Sequence, residues 1–439
     1  MRTPYWLPRD GFVSILEQAV RKRTAVEVKE GWEVTALRRV PDGEHMAIEA
    51  TLKGADGQEH TMRPFLVVGA DGLRSVVRAS LSQWAGEDGG NDQERFEMEE
   101  KPSPSGGLRY KVLKLKPTFS LPPNPDSRGA TVDVIESEQS YTFLSRYLGS
   151  IKDKNKETRL GLLPLKAKYA YRTANIITWP DHSIWTNATL GTLAGMKDFL
   201  HDSYPQVPWD QAVTEEELER FARSPGGRFP QPQTTKGGAA WVSGSKEVGA
   251  VLLGDALHAF PPDLGQGVNS ALKDVATLGD SLRNVTHQTS SPASTALSLE
   301  KQGGGGRRML AAALDCYEAE ATGEARALVR MMQLGSPYQY SQPGLRAFVM
   351  ARLMAANLLL RLILSKIPFL GNAMFFPQIG LLTQLGGNLS YRGTLCVSVV
   401  FPSRFRLSLF VVYVCASAWV PSAWVRERSR EHACNGRTI

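Results

Sequence analysis

The chain has 439 residues, 42% hydrophobic and 22% charged, a balance that excludes a disordered or fibrous protein and at this length calls for two or three domains. Its formal net charge is +7, but residues 402–439 hold six Arg and two Glu, so the excess sits in the tail and nucleic-acid binding is not indicated. Cys316, Cys396, Cys415 and Cys434 have neither metal-site nor redox-pair spacing, which excludes a disulfide scaffold and points to a reducing, intracellular compartment.

The N-terminal MRTPYWLPRDGFVSIL lacks the uninterrupted apolar run of a signal peptide and does not read as a transit peptide. Residues 9–22 place Phe12, Ile15, Leu16 and Ala19 at helical spacing, with Asp10 as the N-cap. AVEVKEGWEVTALRRV (25–40) and HMAIEATLKGADGQEHTMRP (45–64) read as short strands, with Gly-Ala-Asp-Gly at 54–57 as a hairpin turn. FLVVGADGLRSVVR (65–78) reads as a buried strand, a glycine turn and a helix start, and 85–107 as a loop or linker. From 108 to 245, short β-like runs such as ATVDVIES and ANIITWP and an acidic helix, TEEELERFAR, indicate a sheet-containing domain inserted between two parts of another. Strand, loop and helix return over 246–285, followed by a low-complexity insertion at 286–308 and a helical region over 309–392, with helices at 309–334 and 345–366. Residues 393–439 form a divergent basic and hydrophobic tail. Within it LSLFVVYVCASAWVPSAWV (407–425) is uncharged and just reaches the roughly 20 residues of a membrane span, so a membrane anchor and an amphiphilic tail are equal readings.

Two stretches concentrate backbone-special residues. In LLGDALHAFPPDLGQGVN (252–269) an apolar strand ends at Gly254, placing Asp255 at the carboxyl end of a strand, the edge where open α/β sheets bind ligands. A carboxylate there can accept hydrogen bonds from ribose hydroxyls. Pro261 and Pro262 stiffen the loop, while Gly265 and Gly267 let a flat ligand approach the backbone. Gln266, Gly267, Val268 and Asn269 then lead into a helix whose N-terminal N–H groups favour negative charge, such as that of a reduced flavin. In GADGLRSVVR (69–78), Gly69, Asp71 and Gly72 follow the strand and suit close cofactor contact, while Arg74 and Arg78 suit a pyrophosphate or a second nucleotide. A tight turn with solvent-facing arginines would read the same way. No residue is assigned a catalytic role and no spacing fits a metal.

GADGLRSVVR resembles the DG motif, and GDALHAFPPDLGQGVNSALKD the GD motif, of the FAD-dependent aromatic monooxygenases of the para-hydroxybenzoate hydroxylase type. Within that superfamily LRYKVLKL (108–115), DFLHDSYPQVP (198–208) and LLTQLGGNLSYR (381–392) are most similar to the kynurenine 3-monooxygenase branch. The resemblance covers roughly residues 5–392. It implies an incomplete α/β FAD-binding domain, three-layered and Rossmann-like, over 1–107 and 246–285, a mixed-sheet substrate domain over 108–245, and C-terminal helices. It implies FAD and NAD(P)H as cofactors and O2 with a small organic substrate as partners, one oxygen atom being inserted through a C4a-hydroperoxyflavin. Asp255 would hold the ribitol or pyrophosphate region of FAD. Pro262 and Gly265 to Asn269 would line the isoalloxazine ring, and Asp71 and Arg78 would support FAD and the visiting NAD(P)H. Arg9 matches an arginine that contacts FAD, and Tyr391 occupies the place of a substrate-side tyrosine. Tyr110 could face substrate or sit half in the core. His258 reads as a structural hydrogen-bonding residue rather than a base.

The chain departs from this pattern in four ways. The strand–GxGxxG–helix unit that binds the ADP half of FAD is missing, since GGGG at 303–306 follows no strand. The segment 329–340 lacks the asparagine and glutamate of the kynurenine clamp, which puts that substrate in doubt. Lys273 replaces an acid before Asp274, and nothing past 392 matches. The alternatives are a non-catalytic remnant unable to hold FAD, or another FAD-dependent oxidoreductase of the same fold. A halogenase is disfavoured by the lack of a WxWxIP motif. Oligomeric state is not legible.

Overall fold

The structure, a computed structural model, describes residues 7–89, 94–122, 134–148, 155–166, 169–287 and 303–334. The chain forms two units, one of Met1–Lys29 with Gly107–Phe229, the other of Glu30–Gly106 with Pro230–Ile439. Composition alone set the limits at 107 and 245. The first 29 residues go with the first unit because Tyr171 Oη donates to Asp10 at 2.8 Å. The division falls at 229 rather than 245 because Gln233–Thr235 pairs with strands of the second unit.

Elements are labelled in chain order. α1 (Arg9–Arg21) follows Pro8, so Asp10 lies in its first turn rather than at the cap; α1 buries no residue, and Val13, Ile15 and Leu16 are exposed. In the second unit β1 (Trp32–Asp42), β2 (His45–Gly54) and β3 (Glu59–Met62) form an antiparallel sheet in that order. The expected turn at 54–57 is present, closed by Gly57 N–H to Gly54 O at 2.9 Å. Residues 25–31, read as strand, are not one: the β1–β2 register ends where Trp32 faces Gly54. β4 (Leu66–Gly69) leads through a turn into α2 (Val76–Glu87), and β5 (Met98–Glu100) interrupts the expected 85–107 loop.

The first unit resumes with β6 (Arg109–Leu115), the short pair β7 (Phe119–Ser120) and β8 (Val134–Ile135), then β9 (Tyr141–Leu144), β10 (Arg159–Leu162) and β11 (Arg172–Thr178). Helices α3 (Ser183–Thr186), α4 (Leu193–Ser203), α5 (Trp209–Ala212) and α6 (Glu215–Arg223) precede β12 (Gly227–Arg228). The antiparallel sheet runs β12–β6–β11–β10–β9. β11 alternates strictly between buried and half-buried positions, and Ala174 and Ile176 join Leu113, Leu160, Phe199 and Phe221 in one apolar core. Three glutamates in the first turn of α6 and Arg220 and Arg223 in its last complement the helix dipole, with Thr214 as N-cap.

The second unit closes with β13 (Gln233–Thr235), β14 (Ala240–Val242), β15 (Gly249–Leu252), β16 (His258–Ala259), α7 (Gly267–His287) and α8 (Gly303–Leu334). One sheet runs β14–β15–β4, its β15–β4 pair parallel, and another β16–β13–β5. β15 is wholly buried and shares a core with Leu81, Trp84, Leu314 and Tyr317. β4, expected to be buried, is an edge strand among the described residues, with Val68 exposed. α8 starts at Gly303 and takes in the four glycines read as low-complexity; its buried stripe begins at Leu310 and Leu314. Tyr391, the 345–366 helix and the 407–425 segment lie outside the described residues. Among those described, no helix is long and apolar enough to cross a membrane, and no cluster of His, Cys, Asp or Glu could hold a metal.

Candidate functional site

Because β4 and β15 are parallel neighbours, with Leu252 opposite Gly69, the two glycine-rich stretches emerge from the same sheet edge. Leu253 N–H donates to Gly69 O at 2.9 Å and joins them directly. The sequence places these stretches about 180 residues apart; the sheet register brings them together.

On the β4 side, Asp71 Oδ2 accepts from Val76 N at 2.7 Å and Val77 N at 3.2 Å, while Ser75 Oγ accepts from Arg78 N at 2.9 Å. Three of the free N–H groups at the start of α2 are therefore already used. Arg78 donates through Nη1 to Ala256 O at 2.8 Å and through Nη2 to Leu73 O at 2.6 Å, tying α2 to the Asp255 turn. Desolvation lowers its pKa, with the nearby Asp71 acting in the other direction. Asp71 and Arg78, expected to support cofactors, thus hold the turn itself. Gly69 is buried, and a Cβ there would stand 2.8 Å from Val77 Cβ and 3.1 Å from Leu252 Cδ2. It is a glycine so that α2 can pack on the sheet.

On the β15 side, Gly254 (φ +57°) turns the chain into Asp255, whose side chain is exposed at its flank. Desolvation of the carboxyl group raises its pKa, and His258 partly offsets this. Ser105 Oγ bonds Asp263 and anchors the Pro261–Pro262 loop. Gly265 takes a left-handed φ of +59°, and neither it nor Gly267 has a heavy atom within 4 Å of where a Cβ would stand. Pro262, Gly265, Gly267, Val268 and Asn269 are exposed, whereas Gln266 is buried and could meet a ligand only through its backbone. The N-terminus of α7 therefore opens on a surface with room for a planar ring, and these residues fit the ring half of a flavin.

Arg9, exposed on α1, and Tyr110 belong to the other unit. Tyr110 is half-buried, its ring 5.2 Å from that of Phe229. Sequence reasoning assigned no role to Asp274, a buried carboxylate whose Oδ2 accepts from Gly254 N at 2.9 Å and from His258 Nε2 at 2.9 Å. An acid on the inward stripe of α7, two turns from Gly267, was the available signal. Lys273, the departure from the motif, pairs with the buried Glu324 of α8 at 2.7 Å.

Residues 1–148 and 241–296 match the FAD binding domain family (FAD_binding_3), a span of under half the chain that includes both stretches. Both glycine-rich stretches thus fall in segments that are similar to an FAD binding domain. Similar solved structures include PqsL, a probable FAD-dependent monooxygenase from Pseudomonas aeruginosa, at 18% identity over 74% of this chain and 70% of that one, with a TM-score of 0.39. Aklavinone-11 hydroxylase, in a ternary complex with FAD and aklavinone, is 19% identical over 75% of this chain and 47% of its own, with a TM-score of 0.44. Klebsiella pneumoniae HpxO, complexed with FAD and uric acid, is 18% identical over 68% of this chain and 56% of its own, with a TM-score of 0.34. The chain thus spans about half the length of the last two. No curated protein matches it.

Proposed function

We propose that the protein is an FAD-dependent monooxygenase that uses NAD(P)H to insert one atom of O2 into an aromatic or similar small organic substrate. The observation that carries this reading is the convergence of the Asp71 and Asp255 turns on one sheet edge beside the exposed start of α7. Bound FAD would supply the redox chemistry, passing electrons from the nicotinamide to O2. The chain's own residues bind and orient it. Asp255 would accept from ribitol hydroxyls, and the backbone of Gly265–Asn269 would line the ring, its helix N–H groups favouring the negative charge of the reduced form. Arg78 holds the two turns in register. Arg9 as a second FAD contact, and Tyr110 and Tyr391 on the substrate side, belong to the same proposal, as does the kynurenine-type branch.

The pyrophosphate needs donors other than those of α2, whose N–H groups Asp71 and Ser75 occupy. A strand–GxGxxG–helix unit pairing with the β4 edge would supply them, and the position of β4 at the end of its sheet among the described residues supports this arrangement. The test is flavin binding followed by substrate-dependent NAD(P)H oxidation, with and without that unit fused upstream. Hydroxylated product in step with nicotinamide consumption supports the monooxygenase. Peroxide alone would indicate an oxidase, and failure of both proteins to bind FAD would favour the remnant.

A further inference from the structure

Asp274 lies seven residues into α7, 6% exposed, and lines a small cavity with His258, Ser270, Lys273, Thr277 and Glu324. A buried carboxylate is costly unless its oxygens are hydrogen-bonded. Here a single oxygen, Oδ2, receives two donors from different elements: the N–H of Gly254, which starts the Asp255 turn, and Nε2 of His258 on β16. A carboxylate only accepts, so His258 carries its ring proton on Nε2. That ring is 2% exposed and stacks 5.7 Å from the ring of Phe260, so it has little freedom to turn away. Gly254 also lies where a Cβ would stand 3.1 Å from Ala271 Cβ, so α7 and the turn touch at this level.

We propose that Asp274 is the positioning residue of the flavin site: through Gly254 and His258 it fixes the Asp255 turn and the exposed N-terminal end of α7 as one rigid surface. This rests on the flavin reading of that surface. Asp255 and Gly265–Asn269 approach a ligand from two separate elements, and Asp274 joins them from behind without touching the ligand. Lys273 and Glu324, one residue along and across on α8, form their own ion pair and serve as the neighbouring control.

The experiment compares Asp274→Ala, Asp274→Asn and Glu324→Gln in the full chain by amide hydrogen exchange and by FAD titration. The asparagine oxygen can accept from both donors, so D274N should keep Gly254 and residues 270–274 protected and hold FAD within about threefold of the parent. D274A should expose both segments to exchange and weaken FAD by about tenfold or more, since it leaves two buried donors unpaired. E324Q should change neither. Unchanged exchange at 254–258 and 270–274 in D274A overturns the proposal whatever FAD does, as does equal loosening by E324Q. If D274A fails to fold, His258→Phe removes one donor and keeps the ring. Faster exchange at 257–259 with Gly254 still protected is then expected, and no change in exchange overturns the proposal. A parent chain that does not bind FAD overturns the flavin reading instead, and the exchange arm still decides the role of Asp274.

Discussion

Gly69 and Gly267 both belong to glycine-rich turns, yet the structure requires them for opposite reasons. At Gly69 a methyl group would collide with Val77 and Leu252, so Gly69→Ala should cost about 1–3 kcal/mol of stability by overpacking, read as a lowered thermal midpoint. At Gly267 the space is open and φ is not left-handed, so Gly267→Ala should leave the midpoint within about 0.5 kcal/mol and still weaken FAD about tenfold, because the methyl group occupies the approach of the ring. Equal effects of the two substitutions on stability would contradict this division. Asp255 adds a pH dependence. Its pKa in the folded protein is raised, so the folded state holds the proton over a window where the unfolded chain has lost it, and the Asp255 contribution to stability declines as pH rises through that window. An ionised carboxylate accepts more strongly from FAD hydroxyls than a neutral one, so FAD affinity should strengthen as pH climbs past the raised Asp255 pKa. Asp255→Asn should flatten the profile. The sequence showed which residues were special, but not which of them face a ligand. A capped helix start, as at Asp71, and a packed glycine, as at Gly69, leave the same trace in a sequence as a binding loop.

Among the elements, those whose pattern is set by their own residues were legible. α6 carries its cap, its acids and its basic end within ten residues, and the β2–β3 hairpin carries its turn. Elements defined by what lies beside them were not. β4 has the composition of a buried strand but stands at an edge among the described residues, and residues 25–31 have β-branched residues but pair with no described strand. The β6–α6 junction illustrates a feature no local pattern reveals. Lys111 on β6 is 3% exposed and donates to Phe221 O at 3.1 Å and Ala222 O at 2.9 Å, closing the C-terminal end of α6. Burial, with a smaller effect from Arg109, lowers its pKa to about 8. Below pH 8 the ammonium is present in both states and the folded protein bears its desolvation. Between about 8 and the ordinary value of 10.5 the unfolded chain retains a proton that the folded one sheds, so this contribution favours folding increasingly as pH rises. The thermal midpoint of the parent should therefore gain on Lys111→Met between pH 8 and 10. Parallel curves for the two proteins would show that the lysine titrates normally.

At the scale of the whole molecule, the two units are each assembled from separated stretches of chain, which is why composition located the inserted sheet but placed its limits at 107 and 245. At the same scale, the described part of the second unit carries exposed apolar side chains. Val268, Leu272 and Val275 follow one another at helical spacing along α7 and are 54%, 45% and 54% exposed, while Val68 on the β4 edge is 44% exposed. Parallel strands are ordinarily covered on both faces, and an open apolar edge recruits other strands. Burying a fully exposed Leu or Val side chain is worth about 1.5–3 kcal/mol, so each of these half-exposed residues offers about half of that to a partner surface. The purified chain should therefore self-associate, and the double variant Leu272→Lys, Val275→Lys should weaken that association about tenfold or more in sedimentation velocity, since two apolar contacts are replaced by charges. A parent chain that stays monomeric at high concentration would mean that this face needs no cover.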